Sequence, residues 1–291
     1  MTTCGLELGC LLDIQQSDGG WAYSTQSSWC EPTCYAIMAL RACAGPAESI
    51  GRACEWLARR QRRDGGWSPG PAVEKSTHVT SLAVLALSGM QEYQAFTDRG
   101  TRWLLSQSGA ETSFLARAAR FAMGTRSSAT EHLGWPWFPG AAAWVIPTSL
   151  AICALSRQQQ GAYREEIGPR VAEARKFLLS RRCPDSGWNH GGLFRAGEAP
   201  DSYPETTGIA LLALAGTEVA GMEASLRCGE RHARSARSSE GENWLRLGLM
   251  AHGRAMAATE VTYRHWTVNH VALALITEAA GAGRNPFIHH V

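Results

Sequence analysis

Glu31 and Glu205 each stand two residues before a threonine, Thr33 and Thr207, in the similar segments EPTCYAIMAL and ETTGIALLAL. Two carboxylates brought to the same depth of one apolar cavity lose hydration and repel each other. Both effects favour the protonated form, so such a pair can give or take a proton near neutral pH. His78 and His270 stand in comparable segments, HVTSLAVLAL and TVNHVALAL, and join the glutamates as candidate catalytic groups. Tyr203, Trp144 and Trp266 lie close to these positions in sequence. They are the candidate substrate-binding residues, because aromatic faces steady cationic character. A structural reading stands beside the chemical one: a glutamate at a helix start satisfies backbone N–H groups and the helix dipole.

Metal chemistry has a weaker footing. Cys30 and Cys34 are four residues apart and fit one helix face, with His78 or His270 as further donors, but Pro32 between them marks a helix start. His265 and His270 flank another helix start. Nothing here selects a cofactor; none is required, and zinc or magnesium stays open. The nine cysteines are an odd number, scattered among apolar residues and without a C-x-x-C pair, which reads as buried free thiols in a reducing compartment. The cluster Arg59, Arg60, Arg62 and Arg63 suits a helix C-terminus on a solvated face, with diphosphate binding as the sharper alternative.

These residues are placed by a repeat. QQSDGGWAYS begins at Gln15, QRRDGGWSPG at Gln61 and RRCPDSGWNHGG at Arg181. Each is followed by an apolar segment, and the aligned set, which includes IPTSLAICAL from Ile146, reads Thr-x-x-Ala-x-x-Ala-Leu. Segments apolar on nearly every side are buried helices. The stretches ahead of the turns are amphipathic: ESIGRACEWLARRQ puts Ile50, Cys54, Leu57 and Gln61 on one stripe, and IGPRVAEARKFLLSRR does the same with Ile167, Val171, Ala174 and Leu178. One unit is therefore an outer helix, an Asp-Gly-Gly-Trp turn and an inner helix. The turn reads as construction: glycine past a helix end, aspartate bonding nearby backbone, and a buried tryptophan offering its indole N–H to a carbonyl.

HLGWPWFPG, SQSGAETSFLARAARFAMG and SSEGENWLRLGLMAHGRAM read as degenerate units. About twelve helix-like segments and no sustained alternation predict an all-α chain. An open array would expose the apolar inner set, so the expected architecture is a closed (α/α) toroid, one barrel domain over residues 1–291.

The totals agree with a globular protein: 45% hydrophobic, 19% charged and a net charge of +2, which points away from nucleic acid. No stretch approaches the roughly 18 apolar residues of a membrane span, and the N-terminus lacks a signal-peptide pattern. A cytoplasmic protein is expected.

The Gln-x-x-Asp-Gly-Gly-Trp turns followed by Thr-x-x-Ala-x-x-Ala-Leu helices resemble the prenyltransferase and squalene–hopene cyclase repeat over nearly the whole chain, in the manner of bacterial single-barrel members. The resemblance implies an α/α barrel whose apolar central cavity holds an isoprenoid chain in active relatives. Three motifs of such relatives are missing. There is no Asp-x-Asp-Asp acid of the terpene cyclases. There is no Asp-x-Cys zinc pair of the protein prenyltransferases. Cys228-Gly229-Glu230 is followed by Arg231, not by the glutamine of a thioester site. The expectation is an isoprenoid-handling, cyclase-like or prenyltransferase-like protein with carboxylate acid/base chemistry. Its alternative is a catalytically silent barrel that binds a lipid or peptide or serves as a subunit, and a homo- or hetero-oligomer fits either.

Overall fold

The computed structural model describes residues 3–23, 27–112, 132–191, 200–254 and 267–288, with side chains from residue 8 onward. Trp266 and His265 lie outside the described residues. Eleven α-helices are formed among them: α1 (Thr3–Asp13), α2 (Cys30–Ala42), α3 (Ala47–Arg59), α4 (Val79–Leu87), α5 (Gln94–Ser106), α6 (Val145–Ser156), α7 (Arg164–Ser180), α8 (Pro204–Ala213), α9 (Met222–Ser235), α10 (Ser239–Met250) and α11 (Val268–Gly281). Two two-residue strands, β1 (Trp135–Pro136) and β2 (Ala143–Trp144), pair antiparallel just before α6.

Six helices form an inner ring. In order, α2 packs on α4, α4 on α6, α6 on α8, α8 on α10, α10 on α11, and α11 returns to α2. All nine residues of α4 are buried, as an inner helix enclosed on every side requires. The outer layer is amphipathic: α3 lies against α2 and α4, α5 against α4 and α6, α7 against α6, α9 against α8 and α10, and α1 against α11. In α3, Cys54 and Leu57 face the core while Glu55 and Arg59 pair in solvent at 3.5 Å. The α8–α10 contact is the closest in the ring. A Cβ on Gly208 would strike the backbone of Trp244 and Leu245, and one on Gly248 would strike the Gly208 carbonyl. Glycine at both places lets the two backbones touch.

The repeated turns are wired alike. Trp21, Trp67 and Trp188 donate their indole N–H to the carbonyls of Leu11, Leu57 and Leu178 at 2.8, 2.8 and 2.7 Å. Their backbone N–H groups donate to Thr33, Thr80 and Thr207, which explains the threonine near the start of the inner helix that follows each of these turns. Gln15 and Gln61 each bond the turn carbonyl and the next outer helix, through Ser49 and Phe96. In the third copy Arg182 replaces glutamine and reaches the Ala220 carbonyl at 3.2 Å. There Ser186 holds the left-handed backbone (φ 75°) that Gly19 and Gly65 hold in the other copies.

The degenerate fourth unit keeps the same two bonds, from the Trp135 indole N–H to the Leu104 carbonyl and from its backbone N–H to Thr148, each at 2.8 Å, and adds a cation. The Arg170 guanidinium lies 3.4 Å from the Trp135 ring and bonds the carbonyls of Leu133, Gly134 and Gln107. Burial pushes this guanidinium down to about 9.

The two ends of the ring differ. The N-terminal turns of the inner helices form one end, here called the mouth. The other end is crossed by the segment after α11. Arg284 bonds the Ala42 carbonyl at the end of α2, and Arg157, just past α6, bonds the Ile288 carbonyl. Between these anchors Phe287 is 1% exposed, with its ring 5.3 Å from that of Trp244. A hollow of about 290 Å³ remains beside it, lined by Ile152, Ser156, Arg175 and Leu212.

Candidate active site at the barrel mouth

Four inner helices deliver titratable side chains to the mouth from their first turns: Glu31 from α2, Glu205 from α8, Glu240 from α10 and His270 from α11. They act on one another electrostatically. Burial raises the Glu31 carboxyl above its ordinary range, and the neighbouring Glu240 charge raises it further, against a hydrogen bond from Tyr23. Burial likewise raises Glu240, and repulsion from Glu205 adds to it, while His270 and the Trp244 indole oppose the shift. The site thus holds carboxyls biased toward the proton-bearing form.

Glu31 and Glu205 occupy the same repeat position but different bonding states. Glu31 caps no helix: α2 has no side-chain cap at Trp29. Its Oε2 accepts the Tyr23 hydroxyl in a short hydrogen bond. The phenol is held in turn by the Asn269 side chain, and partial desolvation of its hydroxyl beside the Glu31 charge raises its pKa. The Oδ1 of Asn269 is itself buried without a partner. Glu205, by contrast, accepts the Ser238 hydroxyl at 2.6 Å, and Ser238 caps α10 by accepting the Gly241 N–H at 3.0 Å. Both glutamates stand in the first turn of an inner helix, where the dipole favours a negative charge, and Glu205 in addition supports the α10 cap through Ser238.

Aromatic side chains rim these acids. His190 lies between Trp144 and Tyr203, with ring centroids at 6.2 and 5.3 Å. The order is built from backbone, since the Val145 N–H donates to the His190 carbonyl and the Tyr203 N–H to the Trp188 carbonyl. Ile14, Tyr23, Phe138 and Tyr203 are the large apolar side chains exposed among the described residues, and the last three stand in the loops that lead toward the inner helices. Tyr203 is 45% exposed, a surface for a ligand to cover.

His78 is not brought to the acids. Its ring packs edge-on against Trp137 at 4.4 Å, in a wall that includes Trp103, Trp135 and Pro147. Burial there pushes its pKa down to about 4, so it is a neutral packing residue at neutral pH. His78 stands at the start of α4, as the repeat position requires, and the neighbouring turn covers it with Trp137. Cys30 and Cys34 are buried free thiols, and burial pushes Cys30 up to about 12. Among the described residues they share no three-donor group with His78 or His270. The four arginines of the 59–63 stretch line a surface hollow with Asp64 and Pro71.

Sequence reading missed Glu240, His190 and Tyr23. Glu240 lies in the weak unit SSEGENW, which lacks the Thr-x-x-Ala signature; Ser238 ahead of Gly241 was the available capping signal.

Solved structures share this double ring. An apo type II terpene cyclase, MstE from Scytonema, superposes with a TM-score of 0.56 at 14% identity, covering 96% of this chain and 78% of its own. The fold is an α/α toroid. The same toroid carries a GH8 endo-beta-1,4-glucanase from an Achatina fulica gut metagenomic library, at a TM-score of 0.61 and 11% identity over 95% of this chain and 97% of that one. It also carries a GH76 alpha-mannanase from Bacteroides thetaiotaomicron, at 0.58 and 7% over 97% of both. Neither a family model nor a curated protein matches the chain. At these identities the toroid alone is shared, and chemistry must be argued from the mouth. No helix among the described residues is long and apolar enough to cross a membrane.

Proposed function

We propose that the mouth is a general acid–base site for an oxygen-bearing, isoprenoid-type small molecule, with Glu31 as proton donor and Glu240 as its partner. The observation that carries the reading is the convergence of Glu31, Glu205 and Glu240 at the half-exposed mouth, where partial burial and mutual repulsion raise two of them. A carboxyl biased toward protonation suits an epoxide, hydroxyl or carbonyl oxygen better than an unactivated alkene, which needs a stronger acid. Glu31 would give its proton to that oxygen as the C–O bond breaks. Glu240 in its ionised form, a stronger base for its raised pKa, would take a proton from carbon as a C=C bond forms. Trp144, His190 and Tyr203 would face the transient cation. The packing of Phe287 against Trp244 supports a ligand held at the mouth over one threaded through the barrel.

Binding without turnover is the second reading, favoured by the engagement of Glu205 in capping α10. Geranylgeraniol and its terminal epoxide separate the two. Both should quench tryptophan fluorescence, and the epoxide should yield products of altered mass-spectral pattern. E31Q should abolish product and keep binding. Binding without product in the wild type would favour the silent barrel. Binding of cello- or manno-oligosaccharides with no response to either prenyl compound would overturn the isoprenoid assignment.

A further inference from the structure

Away from the four mouth residues, the third repeat turn departs from its copies in a way that creates a donor set. In the first turn, Asp18 accepts Ser28 and the Gly20 N–H on Oδ1, and its second oxygen takes the Trp56 indole of the next outer helix. In the third turn, Asp185 keeps the Gly187 N–H on Oδ1. Its Oδ2 instead faces a cluster made with Cys228 and His232 of outer helix α9, four residues apart on one face. One ligand atom from each of the three lies within 4.8 Å of the other two.

The buried Ser202 hydroxyl sits among them, 2.6 Å from Asp185 Oδ2, 2.6 Å from His232 Nε2 and 3.6 Å from Cys228 Sγ. One hydroxyl proton cannot serve three acceptors, so the metal-free cluster holds together only with an N–H on His232 Nε2. Arg231 stands beside the cluster, bonding the Asp185 carbonyl at 3.2 Å, and its charge acts on both Cys228 and His232. We propose that Asp185, Cys228 and His232 form a zinc site, with the Ser202 hydroxyl or a water as fourth ligand.

Carboxylate oxygen, imidazole nitrogen and thiolate sulfur are the donors zinc takes tetrahedrally, at about 2.0–2.3 Å. Those bond lengths require ligand atoms roughly 3.3–3.8 Å apart, so the cluster must contract by about an ångström, within the reach of side-chain rotation. Binding releases the Cys228 thiol proton to solvent, and the His232 Nε2 proton is exchanged through solvent for one on Nδ1, which frees the Nε2 lone pair for the metal. The ion would tie α9 to the turn that leads through Ser202 to Tyr203 and Glu205. This assignment is independent of the reaction proposed for the mouth, and its test reads metal, not turnover.

The experiment is titration of the chelator-dialysed full chain with Co²⁺. One equivalent should give a near-ultraviolet thiolate-to-cobalt band and the strong visible bands of a tetrahedral site, released by Zn²⁺. C228S should lose the near-ultraviolet band, H232A should bind at least tenfold more weakly, and C10S, at an exposed thiol on α1, should behave as wild type. Zn²⁺ should also raise the wild-type Tm and leave that of H232A unchanged, which keeps the test decisive if C228S fails to fold. A folded wild type without the thiolate band, or a band retained in C228S, overturns the site.

Discussion

Glu31 and Glu240 carry protonation energetics opposite in sign to those of the turn aspartates. Burial raises both mouth carboxyls. A carboxyl with a raised folded-state pKa contributes stability that is fully present below its unfolded value and lost as pH rises through its folded value. At Asp18, burial alone would raise the pKa, but hydrogen bonds from Ser28, Gly20 and Trp56 outweigh it and lower the group; Asp185 is lowered through Ser202 and Gly187 in the same way. Their contribution is present above the unfolded aspartate value and lost as pH falls below it. Wild-type stability should therefore decline on both sides of the mildly acid range. E31Q and E240Q should each gain stability relative to wild type as pH rises above the folded glutamate values, with no such gain near pH 4. Urea melts across pH check this. Such a gain joined to loss of turnover is the mark of a group kept for chemistry at a cost in stability.

At the scale of helices and turns, residues that build the repeat were legible, because each answers to a local rule. Gln15, Asp18, Trp21 and Thr33 each satisfy a named backbone group, and Gln61, Asp64, Trp67 and Thr80 repeat the pattern. The mouth was half legible. Glu31, Glu205 and His270 follow from the repeat position; Glu240 does not, because its helix relies on the Ser238 cap and on Gly248 packing in place of the threonine signature. His78 failed for a tertiary reason, since its partner Trp137 comes from the next turn. Arg170, which stands in for a missing Asp-Gly turn, has no local signal at all. R170A would leave the Leu133, Gly134 and Gln107 carbonyls without their donor and strip the Trp135 ring of its cation. It should destabilise the protein by about 3 kcal/mol, whereas a surface change such as K176A should cost under about 0.5 kcal/mol. Thermal or urea denaturation of the pair distinguishes them.

Over the whole molecule, the ring closes through its last described helix, α11 on α2, and the segment after α11 seals the end opposite the acids. Closure explains why the inner helices tolerate apolar residues on all faces. The seal is energetic as well as geometric: F287A removes a buried ring from against Trp244 and should cost about 3–5 kcal/mol. Because Trp244 bears on both Phe287 and Glu240, F287A should also weaken ligand affinity at the mouth wherever the protein is folded. Calorimetry with geranylgeraniol, paired with urea melts, reads both quantities.

The central claim is that the toroid mouth raises the Glu31 and Glu240 carboxyls above their ordinary pKa. The most direct measurement is a pH titration of the chain with ¹³C at the glutamate side-chain carboxyls, followed by NMR in the wild type, E31Q and E240Q. The expected result is two wild-type carboxyl signals that titrate above all other glutamates, one disappearing in each variant. Titration of every glutamate in the ordinary range, or high-titrating signals that persist in both variants, would contradict the account.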